Sequence, residues 1–256
     1  MQRSVLLSLL ANSLVSGFPT LDISHLVARN STSQVFLQDD EVLVYENGRA
    51  EVVHAGDYMN MLESMAIQSE VPPIDESWLN FTSEASLQAR DDDDCTDMVV
   101  VTDRSERFVD WDVQMSPVII GAGTGIDLFV ANSYSVSNTV TVSAGIDYKI
   151  VKDILGVSFR IDYSYTWTTQ TTIQTKTTVQ QGQAGVMITM PFKNRKYGRS
   201  FCGRPGSLVQ AGTWIADSYE NQTYNGVSWV AGAITGCIKN QTTLPLTRCN
   251  GEGEFI

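Results

Sequence analysis

The chain has 256 residues, 43% of them hydrophobic, and a formal net charge of −12 at pH 7. That length supports a sizeable buried core, and the acidic balance excludes the contiguous basic face that nucleic-acid binding requires. No uncharged apolar run approaches the roughly eighteen residues of a membrane-spanning helix.

The first seventeen residues combine Arg3, the apolar stretch Val5 to Leu10 and the small residues before Phe18-Pro19. This order predicts a secretory signal peptide over 1–17 and a secreted, extracellular protein. Sequons at Asn30, Asn80, Asn221 and Asn240 agree with export and predict four glycosylated surface positions.

Residues 18–90 are expected to form a small acidic α+β segment, either a subdomain or a removable pro-segment. Phe18 to Asp94 holds sixteen acidic and three basic residues, whereas Cys95 to Ile256 holds thirteen of each. Within it, Glu41–Tyr45 and Arg49–Val53 flank Asn47-Gly48, a strong hairpin signal. Tyr58, Met61, Leu62 and Met65 then recur at helical spacing after Asp57, and Pro72-Pro73 ends the run. The stretch up to Asp91-Asp92-Asp93-Asp94 reads as a solvated linker, since consecutive carboxylates lack the spacing of a calcium loop. If the acidic segment docks by charge, Lys193, Arg195, Lys196 and Arg199 are its natural contact. The same cluster, read as a loop after Pro191, is also a candidate for an anionic surface.

Residues 91–256 are expected to be a disulfide-bonded, mainly β domain: an elongated sheet or sandwich with strands at 98–101, 111–115, 118–120, 185–190, 208–216 and 227–234, and no amphipathic helix. Cys95, Cys202, Cys237 and Cys249 are even in number and lack the CxxC spacing of a zinc site, so two disulfides are expected. Three connectivities are open, with Cys237–Cys249 and Cys95–Cys202 preferred. The glycine-rich run at 118–125 reads as a connection between strands, because Ile126 stands where a dinucleotide loop needs its third glycine.

The longest pattern lies at 134–180. Val136, Val140, Val142, Ala144, Ile146, Tyr148 and Ile150 alternate with polar residues, and after a change of parity so do Leu155, Val157, Phe159, Ile161, Tyr163, Tyr165 and Trp167. A four-residue loop at 151–154 then pairs Ile150 with Leu155, Tyr148 with Val157, Ile146 with Phe159 and Ala144 with Ile161, putting every apolar side chain on one face.

These Ser/Thr-rich arms flanking an amphipathic hairpin, with Gly182 and Gly185 beyond the second arm, resemble the aerolysin-like β-pore-forming modules over about Ser133 to Met190. The resemblance is one of pattern. It implies oligomerisation on a target membrane and insertion of hairpin 144–167, with Tyr163, Tyr165 and Trp167 as an interfacial band. As a whole the chain also resembles small secreted fungal proteins of the effector-candidate type. The alternative from the residues alone is a β-sandwich whose hairpin covers the core and which binds a glycan or an extracellular protein.

Catalytic chemistry is poorly supplied. His25 and His54 both lie in the acidic segment, leaving residues 91–256 without a histidine. No catalytic, cofactor-binding or metal residue is assigned, and no cofactor is expected. A carboxylate-dependent hydrolase, with Asp110 and Asp112 on one strand face, is a further alternative. Trp111, Trp214 and Trp229 are read as core or sugar-stacking residues.

Overall fold

The computed structural model describes residues 34–81, 98–169, 174–224 and 227–256. The signal peptide, Asn30, Cys95, Arg90 and the aspartate run to Asp94 lie outside the described residues.

The fold is mainly β, as expected. First come β1 (Val35–Phe36), β2 (Glu41–Glu46), β3 (Arg49–His54), α1 (Ala55–Ser64) and α2 (Glu76–Leu79). A second group holds β4 (Met98–Val109), β5 (Val113–Gln114), β6 (Ile119–Ile120), β7 (Ile126–Phe129), β8 (Ser135–Ser137) and β9 (Thr139–Val142). After α3 (Tyr148–Phe159) follow β10 (Thr166–Thr168), β11 (Thr175–Val179), β12 (Ala184–Cys202) and β13 (Val209–Tyr219). The chain closes with β14 (Asn221–Tyr224), β15 (Val227–Val230), β16 (Gly232–Lys239), β17 (Leu246–Thr247) and β18 (Glu254–Phe255).

The organiser is β12, 19 residues long. On one side it pairs successively with β4, β5 and β6; on the other it pairs with β13 along its C-terminal half and β16 along its N-terminal half, all antiparallel. Pro191 sits between the halves, where β4 has given way to β5 and the β14–β15 hairpin interrupts the path from β13 to β16. A residue without an N–H is tolerated at such a break. The sheet continues through β9 beyond β13, and through β2 and β3 beyond β16.

Asn47 and Gly48 both take positive φ, 51° and 71°, so β2 and β3 form the expected tight hairpin. The described part of the acidic segment is not a body of its own. Leu43, Val44 and Tyr45 pair with Ile234, Ala233 and Gly232, and Tyr58 and Leu62 of α1 pack with Val42, Val44, Phe192 and Val109. Apolar burial and backbone pairing hold it there, joined by the ion pair of Arg107 with Glu46 at 3.0 Å.

The Lys193–Arg199 stretch is part of the central strand, correcting the expectation of a solvated loop. Among the described residues its acidic partners are Asp110, Asp217 and Asp103, none from the segment ahead of the linker. Trp214 and Trp229 are fully buried core residues, whereas Trp111 is 42% exposed.

Candidate functional site: the α3 segment

The expected strand hairpin over 144–167 is replaced by a helix. The local causes can be followed residue by residue. Strand β9 ends at Val142 because the next residue turns its side chain into the ladder: Ser143 Oγ accepts the Thr213 N–H at 3.0 Å. Gly145 then takes φ 94°, redirecting the chain. Asp147 caps the helix, its Oδ1 accepting from Lys149 N at 2.7 Å and Ile150 N at 3.0 Å. Arg160, with φ 56°, closes the helix in the left-handed conformation, its N–H donating to Gly156 O. Asp147 and Arg160, which a strand hairpin would place diagonally across from each other, therefore cap opposite ends of the helix.

The helix divides the expected apolar face in two. Val151 and Leu155, four residues apart, are fully buried with Val140, Tyr163, Trp214 and Ala216. Phe159 is half-buried against the same indole, ring centroids 6.3 Å apart, with Lys196 Nζ 5.1 Å from its own ring centroid. Tyr148, Ile150 and Val157 are exposed, Val157 at 83%. Ile150 and Val157 are seven residues apart and share a stripe with the half-buried Ile154. None of the four expected cross-strand pairs forms within α3 and its flanks. Ala144 is exposed, Ile146 and Ile161 are half-buried, and Ile146 packs over Gly212.

The aromatic trio is also redistributed. Tyr163 and Trp167 are buried and only Tyr165 is exposed, so they are not a surface band. Trp167 Nε1 donates to Asn221 Oδ1 at 3.0 Å, and Trp167 pairs in β10 with Val136 of β8. Burial, reinforced by the Asp217 charge, pushes the Tyr163 phenol up to about 12.

A set of ion pairs runs along β12. Arg195 is 4% exposed and holds Asp217 through two bonds of 2.8 and 2.9 Å. Burial acts to lower its pKa, but the Asp217 contact prevails and leaves the guanidinium above its ordinary range. Lys193 lies 2.7 Å from Asp110, which also accepts from the Tyr219 hydroxyl at 2.6 Å. Burial first and Asp110 second raise the Tyr219 phenol well above its usual range. The pairs join β12 to β13 and to Asp110, the residue that follows β4.

The two carboxylates considered for hydrolysis have separate structural tasks. Asp110 is occupied by Lys193 and Tyr219, while Asp112 is fully buried and accepts from Cys249 N and Asn250 N, each at 2.7 Å. Burial raises the Asp112 pKa, against the pull of those two backbone bonds.

Cys237 and Cys249 form the preferred disulfide. Cys202 is disulfide-bonded as well. Of the sequons, Asn80, Asn221 and Asn240 are exposed. Sequence reasoning missed α3, although its signals were present: Asp147 ahead of Val151, Leu155 and Phe159 at four-residue spacing.

Comparison with protein-family models, with curated proteins and with solved structures finds no match for this chain.

Proposed function

We propose that the chain is a secreted, glycosylated, non-catalytic protein that acts on a membrane, and that residues 143–165 make the contact. The observation that carries this reading is the outward apolar stripe of α3, Ile150 and Val157, on a helix connected at both ends to short Ser/Thr-rich strands. Moving those two side chains fully into an apolar interface contributes about 3 kcal/mol, given roughly 1.5–3 kcal/mol per fully buried side chain and their present partial exposure. That corresponds to an affinity weaker than about 1 mM for a single copy. Durable contact therefore needs several copies acting together, which agrees with the homo-oligomer that the aerolysin-like resemblance implies. In the pore-forming version, α3 gives way on the membrane to a strand hairpin contributed by each copy, since a closed barrel satisfies every backbone group in lipid.

The test is dye release from, and co-sedimentation with, lipid vesicles, comparing the purified protein with Val157→Asp and Ile150→Asp. Both positions face water, so the variants keep the wild-type melting temperature within a few degrees while vesicle binding falls at least tenfold. Wild-type protein that neither binds nor leaks vesicles, or variants that act as well as wild type, would remove the proposal.

A second reading, glycan binding, is favoured by one surface feature. Phe36, Lys176 and Phe129 are neighbours across β1, β11 and β7, with both rings 42% exposed and their centroids 5.5 and 5.6 Å from Lys176 Nζ. Saturable glycan binding abolished by Phe36→Ala with Phe129→Ala, without vesicle leakage, would select it.

A further inference from the structure

The Cys237–Cys249 disulfide and Asp112 form a group that neither the apolar stripe nor the glycan reading uses. The ligand atoms of the three residues lie within 4.8 Å of one another. Asp112 is fully buried, and only one of its oxygens is employed: Oδ2 takes the two backbone N–H groups, while Oδ1 is buried without a hydrogen-bond partner among the described residues. A buried carboxylate oxygen left unpaired costs about 1–3 kcal/mol or more. The loop cap at Cys249 and Asn250 explains Oδ2 and leaves Oδ1 unexplained.

We propose that Asp112, Cys237 and Cys249 are the ligands of a thiophilic divalent metal, of the zinc class, when the disulfide is reduced. Reduction by a dithiol delivers two electrons and two protons to the sulfur–sulfur bond, giving two thiols while the dithiol becomes a disulfide; with a phosphine the electron pair comes from phosphorus, and one water supplies the two protons and the oxygen of the phosphine oxide. The metal ion then displaces the thiol protons and is held by two thiolates and one carboxylate oxygen. Two thiolates on a tetrahedral zinc stand roughly 3.8 Å apart, and a thiolate and a carboxylate oxygen roughly 3.5 Å. Both separations are below the 4.8 Å that bounds the three ligand atoms, and the two sulfurs, bonded in the oxidised protein, move apart by roughly 2 Å to reach the metal.

The surroundings favour this outcome in two ways. Reduction does not free the ligands, because the loop bearing Cys249 stays tied by Asp112 and by the β17–β18 pair, whose Leu246 and Phe255 are buried beside Cys237. A site of two thiolates and one carboxylate keeps one net negative charge around a divalent ion. Arg248, whose Nη1 donates to Asp112 O, and Lys239, whose Nζ is 2.9 Å from Arg248 O, offset it. Cys237 is buried and Cys249 exposed, so reductant and metal have one side of approach, and the fourth position belongs to water.

The experiment uses the full chain, reduced anaerobically with a water-soluble phosphine and titrated with Co²⁺ and then Zn²⁺. Expected are a thiolate-to-cobalt charge-transfer band with tetrahedral d–d bands at one equivalent, bleached by Zn²⁺. Asp112→Asn weakens Co²⁺ binding at least tenfold and Asp112→Cys restores it, while the oxidised protein shows no band. Alkylation of the zinc-loaded reduced protein, mapped by mass spectrometry, protects Cys237 and Cys249 together while Cys202 reacts. The inference is overturned if Asp112→Asn binds as tightly as wild type, if protection falls on Cys202 instead, or if the reduced protein unfolds and zinc does not refold it. Vesicle leakage is not a readout here, so this result is independent of the membrane proposal.

Discussion

Leu155 and Val157 separate the helix from the hairpin by a single comparison. Two residues apart, they share a face in any strand, where truncating either removes similar packing. In α3 they point about 200° apart: Leu155 is fully buried against Trp214 and Tyr163, and Val157 is 83% exposed. Leu155→Ala loses the transfer energy of a buried isobutyl group and leaves a cavity under a helix that cannot fully collapse, costing roughly 2–5 kcal/mol. Val157→Ala stays within about 0.5 kcal/mol, or gains slightly, because alanine is the better helix former. Urea unfolding followed by tryptophan fluorescence reads the difference. With an m-value of about 2–3 kcal/mol per molar, Leu155→Ala lowers the midpoint by roughly 1 M or more and Val157→Ala leaves it in place. Comparable losses for the two variants would refute the helix.

Two further outcomes follow from buried charge. Because burial holds the folded Asp112 pKa above its ordinary value of 3.8, the folded state binds this proton more readily than the unfolded chain does. Its contribution to stability is complete below the unfolded pKa and is lost as pH rises through the folded pKa. Asp112→Asn removes that dependence, so calorimetric melting of both proteins from pH 3 to 7 should show the variant gaining on wild type as pH rises; a constant gap would contradict the assignment. At the Arg195–Asp217 pair, Asp217→Asn alone leaves a buried guanidinium short of charge and costs about 3–5 kcal/mol, whereas Arg195→Met with Asp217→Leu comes back to within roughly 1–2 kcal/mol of wild type. Chemical denaturation of the single and double variants checks this, and a double variant worse than the single one would defeat it.

Local signals were legible in the sequence and non-local ones were not. Asn47-Gly48 announces its hairpin because both residues accept positive φ at little cost. Most strand segments were recognised from alternation, and the Cys237–Cys249 pair was preferred among three connectivities because it closes the loop that contains Pro245. The length of β12 was hidden because Pro191 and the charges at 193–199 imitate a strand end followed by a loop. What makes them a strand interior is supplied from elsewhere: Asp217 lies 22 residues away and Asp103 lies 96. The same holds for Asp112, whose partners Cys249 and Asn250 are 137 and 138 residues distant.

The misreading of 144–167 has a different origin, because there the sequence carries two periods at once. Even and odd positions alternate as a strand requires, yet Val151, Leu155 and Phe159 recur every four residues, and Ile150, Ile154 and Val157 trace a second helical stripe. Alternation alone cannot choose between them. In the folded chain three local facts favour the helix: Ser143 ends β9 by taking the Thr213 N–H, Asp147 caps the first turn, and Trp214 offers a pocket that Val151 and Leu155 fill. The Ser143 and Trp214 contacts are made with this chain's own sheet, and neither would exist for the same residues surrounded by lipid. There the surviving constraint is that every backbone group be paired, which a closed barrel of alternating strands meets. A segment with both periods loses little apolar burial in passing from one to the other, and the exposed Ile150 and Val157 mark the side of α3 from which the proposed change begins. Tying Ser143 to Asp162 by a double cysteine substitution would therefore distinguish the two states. In the expected hairpin register those positions are opposed, so the cross-link should form efficiently on membranes, and its formation in solution to the same extent would refute a membrane-dependent change.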